Sequence, residues 1–100
     1  MAKGRILIID DDPDITEAMS VVLENKGYEV RSAADGSEGM DRVEESRPDL
    51  IILDVMMRTR QEGFELAREL KGSDEYKDIP ILMLTAVKDK TGLDFKANAG

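Results

Sequence analysis

Two short runs, Ile6-Leu7-Ile8-Ile9 and Leu50-Ile51-Ile52-Leu53, restrict the folds open to this chain more than any other feature. Both are aliphatic at every position, with no polar residue on either side of the pleat. A strand with one wet face alternates; a strand covered on both faces does not. Strands of the second kind belong to parallel sheets sandwiched between helices. Each run also stops at aspartate: Asp10-Asp11-Asp12 follows the first and Asp54 follows the second.

The segments between and around these runs read as helices and further strands. Asp12-Pro13 reads as an N-cap and a first-turn proline. Ile15, Met19, Val22 and Leu23 then recur at helical spacing, and Gly27 ends that helix. Tyr28 to Ala33 reads as a second strand. Asp35-Gly36-Ser37 opens a second helix carrying Met40 and Val43, which ends before Pro48. Asp35 and Asp49 read as turn or cap residues. Residues 55 to 63 are expected to form a loop. Phe64, Leu66, Ala67 and Leu70 mark a third helix closed by Gly72-Ser73. Ile79 to Leu84 is a fourth strand, with Pro80 near its start, where a missing donor does least harm. Residues 88 to 100 read as a loop or a short helix. This βαβαβαβ order predicts an α/β doubly wound parallel sheet with right-handed crossovers.

One hundred residues suit a single domain, 1–100. The chain has neither cysteine nor histidine, so any metal site is built from oxygen ligands, which favours Mg²⁺ or Mn²⁺. A formal net charge of −8 argues against direct binding to nucleic acid or anionic lipid. No targeting signal or membrane-length apolar run is visible, and a cytoplasmic location is expected.

In open α/β sheets, ligands bind beyond the carboxyl ends of the strands. If the first and third strands are neighbours, Asp10, Asp11 and Asp54 converge there. Carboxylates so placed repel one another, and a divalent cation resolves the conflict. A carboxylate held this way can act as a nucleophile toward phosphorus, forming an aspartyl phosphate, with the cation neutralising charge. Thr85, at the end of the fourth strand, offers a hydroxyl to the phosphoryl group. Met56 and Met57 are packing residues in side-chain terms; Met56 would contribute its carbonyl.

The residues from Arg5 to Ile15 resemble the opening of a response-regulator receiver domain, the phosphoacceptor module of two-component signalling. Pro48 to Met57 is similar to its phosphorylation-site strand, Gly63-Phe64-Glu65-Leu66 to the start of its third helix, and Ile79 to Ala86 to its fourth strand. The resemblance covers about residues 4–87. It implies a flavodoxin-like fold of strand order 2-1-3-4-5. It implies Asp54 as phosphoacceptor, and Mg²⁺ held by Asp11, Asp54 and the Met56 carbonyl, with Asp10 acting through water. Thr85 becomes the switch hydroxyl, and the backbones at Met56, Met57 and Ala86 hold the phosphoryl group. The implied donor is a phosphohistidine on a sensor kinase or phosphotransfer protein, and the implied recipient is a downstream output domain or protein.

Two departures from the family pattern stand out. Arg58 takes the place of the usual proline, and Gly63 lies nine residues beyond Asp54 rather than eight, so Arg58 to Glu62 looks like a one-residue insertion. Tolerated loop variation explains it; a sharper reading has Arg58 or Arg60 reaching the acidic pocket or the kinase. The family's fifth strand, its lysine and its last helix are not found up to Gly100, and Lys88 and Lys90 stand in the wrong context to replace that lysine. The expectation is a truncated receiver that is destabilised or self-associates through the exposed edge of its fourth strand. Apolar Met56 and Val87 imply a long-lived phosphoryl group. Two other functions compete: an adaptor of receiver shape that is not phosphorylated, and a haloacid-dehalogenase-type phosphatase. The second is disfavoured by Asp14, where its motif requires threonine or valine.

Overall fold

The computed structural model describes residues 3–54 and 60–84. In chain order these form β1 (Arg5–Ile9), α1 (Pro13–Asn25), β2 (Glu29–Ala33), α2 (Gly36–Glu45), β3 (Leu50–Asp54), α3 (Arg60–Lys71) and β4 (Ile81–Leu84). The four strands make one parallel sheet of order β2-β1-β3-β4. The two aliphatic runs are its two central strands, and both are buried along nearly their whole length.

Alternation along these strands divides the core. Leu7, Ile9, Ile51 and Leu53 point to one face, where Val43 of α2 and Leu66, Ala67 and Leu70 of α3 cover them. Ile6, Ile8 and Ile52 point to the other, against Met19 and Leu23 of α1. Helices on both faces are what strands without a polar side require.

The helix ends follow local chemistry. Asp12 caps α1, its side chain accepting from the N–H groups of Asp14 and Ile15. The far end closes as a Schellman turn: Tyr28 N–H donates to Leu23 C=O at 3.1 Å and Gly27 N–H to Glu24 C=O at 3.0 Å. Gly27 sits at φ 101°, a conformation that favours glycine. Tyr28 therefore belongs to this turn, and β2 begins one residue later than the aromatic-led run suggests. Asp35 caps α2 by accepting from Glu38 N–H at 2.8 Å. Asp49 instead ties two strands together. Its Oδ2 accepts from Arg5 N–H at 2.8 Å, joining the starts of β3 and β1.

Three expectations are corrected. Helix α3 starts at Arg60, so residues 60–63 are helical rather than part of a loop. Gly63 lies inside the helix and is buried, at the head of a stripe continued by Leu66, Ala67 and Leu70. Phe64 falls off that stripe and is 44% exposed; Val22 of α1 is 53% exposed for the same angular reason. Strand β4 starts at Ile81, because Ile79 N–H closes a turn onto Tyr76 C=O. The Ile79 side chain is still fully buried. Pro80 loses no ladder bond, and its carbonyl accepts from Ile51 N–H at 3.0 Å.

Gly39 sets how closely α2 lies on the sheet. A Cβ there would stand 2.8 Å from Ile9 Cδ1 and 3.4 Å from Leu66 Cδ2. Gly39→Ala is expected to destabilise the fold by about 1 to 2 kcal/mol, overpacking outweighing the gain in helix propensity. Denaturant melts check this. Adding Ile9→Val, which removes the clashing methyl, should recover much of the loss in a double-mutant cycle. Additive losses would mean the clash is not the cause.

Candidate metal centre

The β1–β3 register pairs Ile9 with Leu53. Asp10 and Asp54 are the next residues on each strand, so the parallel ladder itself delivers their side chains to one place. Asp11 follows in the β1–α1 loop. One carboxylate oxygen from each of Asp10, Asp11 and Asp54 lies within 4.8 Å of the others. Asp10 and Asp54 are 5% and 8% exposed, and Asp11 is open to solvent.

Asp10 is held from both ends. Its N–H donates to Ala33 C=O at 3.0 Å, tying the end of β1 to β2. Its Oδ1 accepts from Asp12 N–H at 2.9 Å, which turns the carboxyl toward the strand ends. Burial pushes the Asp10 carboxyl up to about 6. The Asp12 N–H works against this. The charges of Asp54 and Asp11 and a hydrogen bond shared with Asp54 add to the rise. A buried carboxyl beside two others is a poor structural element, and the arrangement asks for a cation.

The donor set fits a hard divalent ion. Mg²⁺ binds oxygen at about 2.0 to 2.1 Å, so neighbouring and opposite ligands in an octahedron lie about 3 and about 4 Å apart. Three oxygens within 4.8 Å of one another stand close enough for one such ion to be shared among them, directly or through a retained water. One open and two buried carboxylates leave room for the waters that Mg²⁺ retains. Met56, Met57, Thr85 and Ala86, the other predicted site residues, lie outside the described residues, as do Arg58 and Val87.

An open groove of about 660 Å³ runs from Asp10 and Asp11 across the end of β2 to Glu38 and Arg42 on α2. Sequence reading passed over these last two. An acid and a base four apart on a helix look like a solvated pair, and only Asp35-x-x-Glu38 hinted at more.

No helix among the described residues is long and apolar enough to cross a membrane.

The family model described as response regulator receiver domain matches residues 6–100. Over 83 residues the chain is 46% identical to the DNA-binding dual master transcriptional regulator RpaA of Synechocystis sp., covering 83% of this chain and 34% of that protein. It is 45% identical over 82 residues to the response regulator MprA of Mycobacterium tuberculosis, covering 82% and 34%. The chain thus spans about a third of the length of these relatives. Among solved structures, it resembles the N-terminal domain of a response regulator receiver protein from Methanoculleus marisnigri, with TM-score 0.80, 32% identity, and 96% and 78% coverage. It also resembles the chemotaxis response regulator CheY4 of Vibrio cholerae, with TM-score 0.77, 36% identity, and 100% and 81% coverage.

Proposed function

The chain belongs to the response regulator receiver domain family, and from that premise we propose that it accepts a phosphoryl group on Asp54 from a phosphohistidine donor. The observation that carries this reading is the meeting of Asp10, Asp11 and Asp54 at the carboxyl ends of β1 and β3. An Oδ of Asp54 attacks phosphorus as the P–N bond to the donor imidazole breaks. The bonding pair stays on the imidazole nitrogen, which takes up a proton. Asp54 ends a strand buried along nearly its whole length, which favours a fixed position for its carboxylate.

Asp11 and Asp54 would hold Mg²⁺ with the Met56 carbonyl, and Asp10 would act through water. Bound there, the ion would offset charge on the carboxylate and phosphoryl oxygens. Thr85 hydrogen-bonds the product phosphoryl group and carries the switch, with backbone groups at Met56, Met57 and Ala86. The partners are a histidine kinase or phosphotransfer protein and a downstream output domain or protein, and the setting is cytoplasmic.

Mg²⁺-dependent labelling by acetyl phosphate, or binding of a beryllofluoride mimic, tests the proposal, with Asp54→Asn as control. A receiver-shaped adaptor would fold and bind partners yet take no label.

A further inference from the structure

We infer that Glu38 and Arg42 of α2 are positioning residues for the acidic cluster, acting on Asp10 through the end of the edge strand β2. The inference rests on reading Asp10, Asp11 and Asp54 as a divalent-cation site.

Among the described residues, strand β2 pairs with β1 alone. Its odd-numbered residues bond toward β1: Glu29 N–H donates to Gly4 C=O, and Ala33 C=O accepts from Asp10 N–H. By the alternation of a parallel ladder, Ser32 C=O and Ala34 N–H point away from the sheet. Both are taken by α2 side chains. Arg42 Nε donates to Ser32 C=O at 3.3 Å, and Ala34 N–H donates to Glu38 Oε1 at 2.8 Å. Arg42 Nη2 and Glu38 Oε2 bond each other at 3.2 Å, which closes the clasp. The root of Glu38 is fixed in turn, its N–H bonded to Asp35.

Ala33 lies between the two clasped groups, and its carbonyl is the one that anchors the Asp10 backbone. The groove leaves Ser32 and Ala34 exposed. Packing holds the Ala33 side chain in the core, while the outward peptide groups on either side of it are held by the clasp. An ordinary surface pair four apart on a helix would be worth little. Here the bonds go to strand backbone on either side of a carbonyl that holds Asp10.

Charge and geometry make opposite predictions for Arg42. Removing a cation beside an acidic cluster should tighten divalent binding through charge alone. Loss of the clasp should weaken it. Arg42→Ala is therefore expected to raise the Mg²⁺ Kd, by calorimetric titration, by about three- to tenfold. Glu38→Ala should do the same, whereas Glu38→Gln, whose one oxygen can still accept from Ala34 N–H but whose amide nitrogen cannot accept from Arg42, should weaken binding less than Glu38→Ala. Glu45→Ala is the control. It breaks the Arg42–Glu45 and Arg31–Glu45 pairs without touching the strand backbone, and should leave the Kd in place.

Unchanged or tighter binding in Arg42→Ala, or equal weakening in Glu38→Gln and Glu38→Ala, overturns the inference. Amide exchange in the metal-free protein separates it from the metal reading. Arg42→Ala should speed exchange at Asp10 N–H more than at the Leu7 and Ile51 amides of the core. If the original protein binds no Mg²⁺, the metal reading fails, and the exchange result alone decides whether the clasp holds Asp10. If Arg42→Ala does not fold, the Glu38 pair carries the test.

Discussion

Without divalent ions, the Asp10 carboxyl is expected to lower stability by about 2 kcal/mol as pH rises from about 4 to about 7.5, and Mg²⁺ should reverse that loss. The source is Asp10, whose carboxyl is pushed from 3.8 to about 6 in the folded chain. Below 3.8 the group is protonated folded or unfolded, and contributes nothing. Between 3.8 and about 6 the unfolded chain has released the proton while the folded one still holds it. The folded state then binds more protons, so stability falls as pH rises. Above about 6 the full difference applies, at about 1.36 kcal/mol per pKa unit. Asp10 is 5% exposed, so solvent screens little of it. Urea melts of the original protein and Asp10→Asn isolate this contribution as the difference between their pH profiles. Mg²⁺ favours the ionised cluster, so its stabilisation should be large at about pH 7.5 and fade below about 6. At about a hundred times Kd it is worth about 2.7 kcal/mol. Parallel profiles for the two proteins, or Mg²⁺ stabilisation unaffected by pH, would contradict this account.

What the sequence disclosed and what it hid divide along a physical line. A parallel sheet followed from Ile6–Ile9 and Leu50–Leu53, because continuous aliphatic strands have few places to go. The meeting of Asp10 with Asp54 then needed only that these strands be neighbours, since each aspartate follows its run directly. Boundaries were harder. Arg60-Gln61-Glu62 carries no apolar period, and Gly63 stood at the end of the expected loop, yet it is a buried position inside α3. Phe64 and Val22 suit the core by type and not by angle. The bonds from Glu38 and Arg42 to β2 lay beyond sequence reading altogether. Their spacing announces a helical ion pair, and only the fold brings Ser32 C=O and Ala34 N–H within reach.

Asp54→Asn should abolish labelling by acetyl phosphate while making the metal-free protein more stable. The two effects share one cause. An amide oxygen carries no full negative charge and is a poor nucleophile toward phosphorus, so acceptance should fall to background. The same loss of charge relieves Asp10, whose carboxyl is raised in part by Asp54. Burial, the larger cause, remains, so the gain near pH ~7.5 should be smaller than that of Asp10→Asn. Mg²⁺ should then stabilise the variant less than the original protein, one charged ligand having gone. Because stability rises as labelling vanishes, unfolding cannot explain the loss. Undiminished labelling in Asp54→Asn would move the acceptor to Asp10 or Asp11. A variant less stable than the original protein at every pH would mean that Asp54 supports Asp10 structurally and that its charge does not act against the Asp10 carboxylate.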